Sequence, residues 1–258
     1  MSKPPVSAVI IARNAERLLA VVLEALQWCD EIVVVDSGST DATVAIARAA
    51  GATVVHRPFD GYGPQKAFAV GLARNNWVFV VDADEVVSPA LGSEIESAIK
   101  SVEQGTSSYR GFEVPITLVF MGRLMRHGAE NKMPHLRLFD KRYGNYNTAL
   151  VHERVVLDGP VGQLESDMVH DSYGSLETYF EKFNQYTTAA ATDLAARGKS
   201  AGMFTIVLRF PVTFIRQYFG RGHLFNGYPG FLWSLFSAMY PVVKYAKLRE
   251  LQRTTRSK

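Results

Sequence analysis

The chain has almost no cysteine: Cys29 stands alone among 258 residues. One thiol excludes an internal disulfide and a thiolate-rich zinc site. Its place, between a helical pattern and a strand pattern, suits a small buried residue better than a nucleophile. A G-x-G-x-x-G turn after the first strand pattern is also missing, and "IIARNAERLL" (Ile10–Leu19) occupies its place, which counts against a classical dinucleotide fold. The start, "MSKPPVSAVIIARN", lacks the pattern of a cleavable signal peptide, so a reducing, cytoplasmic setting is expected. Long uncharged runs are scarce. The longest, Leu224–Val243, has 20 residues but contains Asn226, Gly227, Pro229, Gly230 and Pro241, which makes a simple spanning helix unattractive.

Acids nearly vanish at the end. From Met203 to Lys258 nine Lys or Arg face one acid, Glu250, whereas the preceding residues hold 19 basic and 24 acidic side chains. The overall charge of +3 therefore conceals a basic end on a mildly acidic body. Nucleic acid would attract such charge, but "FTIVLRFPVTFIRQYF" and "LFNGYPGFLWSLFSAMYPVVKYAKLRE" are heavily apolar as well. No nucleic-acid partner is expected. Amphipathic or shallowly inserted helices on an anionic membrane satisfy both properties. An interior bundle, a contact with a second copy and a spanning segment are the competing readings, and oligomeric state stays open.

What is present is a regular alternation. "VSAVIIA" (Val6–Ala12), "EIVVVD" (Glu31–Asp36), "ATVVHR" (Ala52–Arg57) and "WVFVVDADE" (Trp77–Glu85) read as strands. Helical patterns separate them over Ala15–Trp28, Asp41–Gly51 and Gly63–Asn75, and another follows from Ser88, a cap before Pro89 at the first helical position. Short, continuously apolar strands between helices predict a parallel sheet covered on both faces. After Gly105 the rhythm changes to extended segments, "YRGFEVPITLVFMG", "MPHLRLFD" and "ALVHERVVLDG", and then a long helix from Ser175 to Arg197. Met121, Met125 and Met133 read as packing residues. Lys182 and Tyr186, at i and i+4, share a helix face.

Polar residues collect where strands end. "VVDSGSTDAT" finishes strand two with Asp36, turns on Gly38 and offers Thr40 or Asp41 as a helix cap. It is also a candidate binding edge, because open α/β sheets bind ligands beyond the carboxyl ends of their strands. In "VFVVDADEVV", Asp82 and Asp84 have the same parity, so on an extended chain their side chains point the same way. Two carboxylates held together would call for a divalent cation, although the same three letters also occur in solvated loops.

The ordered set "IIARN", "EIVVVDSGSTDAT", "GYGPQK", "WVFVVDADE", "PHLRLFD", "LVHERV" and "VHDSYGSLETYFEKFNQYT" resembles the family 2 glycosyltransferases of the GT-A fold. More narrowly, it is similar to the bacterial lipopolysaccharide-core β-1,4-glucosyltransferase branch, from about Val6 to Thr188. The resemblance implies an α/β nucleotide-sugar-binding fold with a mostly parallel central sheet flanked by helices. Residues 1–106 would form the nucleotide half, 107–198 the acceptor half, and 199–258 a helical, basic, membrane-associating extension.

It also implies roles. Asp36 would contact the base or ribose, and Arg13 and Asn14 would line the nucleotide pocket. Glu16 would join them or stabilise the helix start. Gln65 and Lys66 would approach the nucleotide or donor sugar, although Ala67 and Phe68 stand where the branch often has another polar residue. Asp82 would contact ribose or position the metal, and Asp84 would ligate Mg²⁺ or Mn²⁺. His170 would bind the metal, bind acceptor or phosphate, or make a structural hydrogen bond. Glu153 would be the base that deprotonates an acceptor hydroxyl for direct inversion, or form an edge ion pair with Arg154 or Arg137. His152 would orient the loop or acceptor, or itself serve as base. Arg137 would hold an anionic acceptor.

Together these imply an inverting transferase carrying sugar from a UDP-sugar, glucose first, to a heptose hydroxyl. The acceptor would be a lipid-linked lipopolysaccharide core precursor, met by a peripheral protein on the anionic cytoplasmic face of a bacterial inner membrane. A polyprenyl-phosphate sugar transferase, a sugar-phosphate nucleotidyltransferase and a noncatalytic membrane-binding module are the alternatives.

Overall fold

A computed structural model of the chain describes residues 5–147, 153–200 and 202–256. It begins as the alternation predicts: β1 (Val6–Ala12), α1 (Glu16–Ala25), β2 (Glu31–Asp36), α2 (Thr43–Ala49), β3 (Thr53–His56), α3 (Tyr62–Leu72) and β4 (Trp77–Asp82). Strands β3, β2, β1 and β4 lie side by side and parallel. Both faces of β1 are covered. Ala8 and Ile10 pack into one core with Leu19, Val22 and Leu23 of α1, while Val9 joins a second with Ala69 and Val70 of α3. The apolar spacing of α1 places those three residues on one stripe. Its Cys29 neighbour is buried, as expected.

The chain then turns at residues 83–84 into β5 (Glu85–Val87) and α4 (Pro89–Glu103), where Ser88 accepts from the Leu91 N–H at 3.2 Å. Strand β6 (Gly111–Phe120) is followed by β7 (Arg123–Leu124) and β8 (Met133–Asp140), and β8 runs antiparallel between β4 and β6. Strands β9 (Gly144–Tyr146) and β10 (Val155–Leu157) make a separate hairpin, while β11 (Val161–Gln163) pairs β6 and β12 (Met168–His170) pairs β5.

Two compact units result: residues 1–117 with 132–170, and residues 118–131 with 171–258. These are not the boundaries at 106 and 198. The long helix α5 (Leu176–Ala196) belongs with the C-terminal helices, because its aromatic face packs on them. The second unit also holds α6 (Met203–Ile215), a π-helical turn (Arg216–Gly220), a 3₁₀ turn (His223–Asn226) and α7 (Gly227–Arg256). Its core centres on Phe120, whose ring meets Tyr179 at 5.5 Å and Trp233 at 5.1 Å, with Met125 and Phe236 beside them. Met125 is a packing residue, but Met121 and Met133 are exposed, contrary to expectation. Among the described residues no helix is long and apolar enough to cross a membrane.

The β9–β10 hairpin leads directly toward Glu153 and is closely packed. A Cβ on Gly144 would stand 2.4 Å from the Val156 carbonyl oxygen and 2.8 Å from the Leu157 Cα. Backbone atoms cannot yield cheaply, so Gly144→Ala should destabilise the protein by about 1–3 kcal/mol. Urea unfolding measures this, and an unchanged midpoint would contradict the close packing.

Candidate active site

Because β1, β2 and β4 are parallel, their carboxyl ends share one edge of the sheet, and the loops leaving them are laced together. Asn14 adopts a left-handed φ of 49°, donates its N–H to the Ser39 Oγ at 2.9 Å, and accepts from the Thr40 N–H at 2.9 Å. The Glu16 carboxylate accepts the Ala42 N–H at 3.0 Å, and the Glu16 N–H donates to Asp41 at 3.2 Å. Glu16 therefore ties the start of α1 to that of α2. Asp41 accepts the Thr43 N–H at 3.0 Å just ahead of α2, whose N-cap is Ala42 without a side-chain cap bond, so neither Thr40 nor Asp41 is the cap. Arg13 lies exposed at the same edge.

Asp36 is buried and turned into its own loop. It accepts the Gly38 N–H at 2.9 Å, the Ser39 N–H at 3.1 Å and the Ser39 hydroxyl at 2.5 Å, with the His56 Nδ1 at 3.7 Å. Burial pushes its carboxyl up, but the donors from Ser39 and Gly38 outweigh this and hold it below the usual carboxylate value. Gly38 makes this turn possible with φ of 87°. Behind it Gln65 is fully buried, donating to Ser37 Oγ at 3.0 Å and to the Arg57 carbonyl at 3.1 Å. Its Oε1 has no partner among the described residues.

The charged centre lies at the end of β4. Arg137 reaches across from β8 and donates to Asp82 at 2.9 Å and to Glu85 at 2.6 Å. Glu85 is wholly buried and also accepts the Asp82 N–H at 2.9 Å. On the other side of Asp82, Lys66 of α3 stands 3.0 Å away, and Glu153 lies 3.7 Å from the same Nζ. Burial raises the Asp82 carboxyl, but Arg137 and Lys66 pull it far below the usual range. Burial pushes Glu85 up and the Asp82 charge adds to this, only partly offset by Arg137. Lys66 remains a cation: burial lowers its pKa, and Asp82 raises it by more.

Asp84 takes another direction. The chain turns at 83–84, so Asp82 and Asp84 do not project together from an extended strand, as their parity suggested. Antiparallel pairing of β5 with β12 sets Glu85 opposite His170, and the His170 Nε2 lies 3.2 Å from the Asp84 carboxylate. Both side chains are about one-third exposed, at 28% and 32%. Burial lowers the His170 pKa, and the Asp84 carboxylate more than restores it, leaving it raised. Asp84 and His170 thus form an accessible carboxylate–imidazole pair. Among the described residues no three His, Cys, Asp or Glu side chains are grouped to hold a cation by themselves.

Two expectations change, and one residue is new. Arg137 is 8% exposed and engaged by two carboxylates, so it organises the cluster instead of presenting its charge to an acceptor. Glu153 has Lys66 as its cation neighbour, where Arg154 or Arg137 was expected. Glu85, not singled out from the sequence, is the buried partner that fixes Arg137; a charged residue directly before two valines was the available signal. His152 lies outside the described residues.

The sequence matches the family described as Glycosyl transferase family 2 over residues 7–152, more than half of the chain and the whole of this strand-end edge. The chain belongs to glycosyl transferase family 2. It is similar to an uncharacterized glycosyltransferase of Rickettsia typhi, 30% identical over 98% of this chain and 89% of that protein. It is 32% identical to the lipopolysaccharide core biosynthesis glycosyltransferase LpsC of Rhizobium meliloti, covering 95% of this chain and 92% of that one. Among solved structures, S. aureus TarS aligns with 72% of this chain and 39% of its own at 16% identity and a TM-score of 0.46. The protein is a glycosyltransferase, and so an enzyme.

The turn at Asp36 gives this glycosyltransferase a defined acid response. Its folded carboxyl lies below the ordinary 3.8, so its stabilisation is complete above that pH and is lost as pH falls through the folded value. The stability gap between native protein and Asp36→Asn should therefore narrow on acidification below about pH 4. Urea unfolding across pH 2–7 checks it; a gap independent of pH would contradict the charged turn.

Proposed function

We propose that this glycosyltransferase moves a sugar, glucose first, from a UDP-sugar to a heptose hydroxyl of a lipid-linked lipopolysaccharide core precursor, with inversion. The acceptor class is supported by similarity to LpsC along nearly the whole chain. The observation that carries the chemistry is the division of carboxylates at the end of β4. Asp82 and Glu85 are both engaged by Arg137, with Lys66 also on Asp82, while Asp84 meets His170 and Glu153 lies beside Lys66; of these carboxylates only Glu85 is closed to solvent.

In this reading Asp36, Asn14, Arg13 and the Gln65 region form the nucleotide edge. The Asp84–His170 pair fits Mg²⁺ or Mn²⁺, since such ions take one or two protein ligands and complete their shell with diphosphate oxygens and water. When bound, the ion supplies charge neutralisation to the leaving diphosphate. Glu153 accepts the proton of the acceptor hydroxyl as the new C–O bond forms and UDP departs. Lys66, 3.7 Å from it, orients that carboxylate. The exposed apolar residues of α6, with Arg209, Arg216 and Arg221 nearby, form a peripheral contact with an anionic membrane surface, where the acceptor resides.

Purified protein given UDP-glucose, divalent cation and sugar-truncated lipopolysaccharide should release UDP in step with sugar incorporation. Glu153→Gln keeps the side-chain size and removes the base, so turnover should fall by about 10²-fold or more while UDP binding is retained. Near-normal transfer by a folded Glu153→Gln protein would remove Glu153 from this role. Release of pyrophosphate from UTP and a sugar phosphate, without sugar transfer, would replace the reading with nucleotidyl transfer.

A further inference from the structure

The C-terminal unit encloses a cavity of about 420 Å³, large enough for a small ligand, between α5, α6, the π-helical turn and α7. Its walls combine three kinds of chemistry. Tyr179, Phe183 and Trp233 provide an aromatic side. Arg209 and Arg216 provide charge; Arg209 is held over the Tyr245 ring at 4.8 Å, and neither arginine is paired with a carboxylate among the described residues. Gln217 provides an amide that is 7% exposed and whose Oε1 has no hydrogen-bond partner among the described residues.

An unpartnered buried amide oxygen is costly, and a ligand hydroxyl would satisfy it. The local backbone points the same way. Gln217 lies in the π-helical turn, a distortion that recurs at functional sites. Pro241, on the opposite wall, has no N–H to give the Ser237 carbonyl, and Ser237 also lines the cavity. The site therefore offers two guanidinium groups, acceptors for hydroxyl donors, and aromatic faces.

The arginines also border an apolar surface. Arg209 and Arg216 are seven residues apart, so they fall on nearly the same side of the helix, facing the cavity mouth. Beside them runs an exposed stripe: Phe204 at 85%, Leu208 at 60%, Val212 at 63%, Ile215 at 57% and Phe219 at 60%. An anionic group at the arginines would thus leave an attached hydrocarbon chain against that stripe.

We propose that this cavity binds the phosphate-and-hydroxyl headgroup of an anionic membrane amphiphile, with its chains on the exposed face of α6. Arg209 and Arg216 take the phosphate oxygens, Gln217 accepts a headgroup hydroxyl, and the aromatic wall covers its C–H face. The assignment extends the membrane contact proposed above from a surface attraction to a defined site.

The test uses the full chain with its three tryptophans replaced by 5-fluorotryptophan, so that Trp233 reports from the cavity while Trp28 and Trp77 serve as references. Dihexanoyl-phosphatidylglycerol, below its micelle concentration, should shift the Trp233 fluorine signal saturably. Dihexanoyl-phosphatidylcholine and inorganic phosphate should bind at least about tenfold more weakly, as should phosphatidylglycerol to Arg216→Gln or to Gln217→Leu, each of which removes a charge-assisted or buried hydrogen bond. Arg216 is exposed, so its variant tests the site even if Gln217→Leu fails to fold. A silent Trp233 signal would overturn the proposal. So would saturation by phosphate alone, which would indicate a soluble anion, or equal binding of both lipids unaffected by the variants, which would indicate an apolar hole. The readout needs no sugar donor or acceptor, so its outcome is separate from that of the transfer assay.

Discussion

The double engagement of Arg137 is the constraint on which the active edge depends. Two carboxylates, Asp82 and Glu85, come from the end of one strand and the start of the next, three residues apart, with Glu85 fully buried and Asp82 about one-quarter exposed. Without a buried cation they could not both remain there, since like charges in a poorly hydrated site repel and shed their ionisation. Arg137, on the antiparallel neighbour β8, binds both from one terminal guanidinium nitrogen and so fixes the turn between them. Removal of one partner from such a group leaves an uncompensated buried charge, which makes the arrangement rigid.

That rigidity determines what the other charged groups can do. With Asp82 and Glu85 both tied to Arg137, Asp84 in the turn between them is left to His170, which β12 brings to meet it. Lys66 performs a second coupling, since it contacts Asp82 at the end of β4 and Glu153 just before β10. Asp82 and Glu153 are thus held by one buried ammonium group. The ends of β1 and β2 are built on a different device: Asp36 and Asn14 use backbone amides to shape two loops, a task that needs no opposite charge.

Much of this was legible in the chain. Continuous apolar runs ending in Asp36 and Asp82 gave the parallel strands and the shared edge, because periodicity and burial are local signals. The strand-to-turn break after Asp82 was not legible from parity, since β5 exists only through pairing with β12, more than 80 residues away. Arg137 read as an anion binder for the same reason: an arginine between apolar residues signals burial of its stem, but its partners come from another strand. The helix α5 was legible, with Ser175 capping through the Thr178 N–H at 3.1 Å, yet its allegiance to the C-terminal unit depends on aromatic packing with α7. The unpartnered oxygen of Gln217 has no sequence signature, because it arises from the helix widening that surrounds it.

The carboxylates at the end of β4 divide by partner, with Asp82 and Glu85 engaged by Arg137 and Asp84 paired with His170, the pair proposed to meet a cation and a nucleotide diphosphate. Titration calorimetry of UDP with and without Mn²⁺, on native protein and on Asp84→Asn, tests it most directly. The division predicts that Mn²⁺ tightens UDP binding by about tenfold or more in the native protein, roughly 1.4 kcal/mol, and that Asp84→Asn abolishes the gain without unfolding the chain. An equal Mn²⁺ effect in both proteins, or none in the native one, would contradict it.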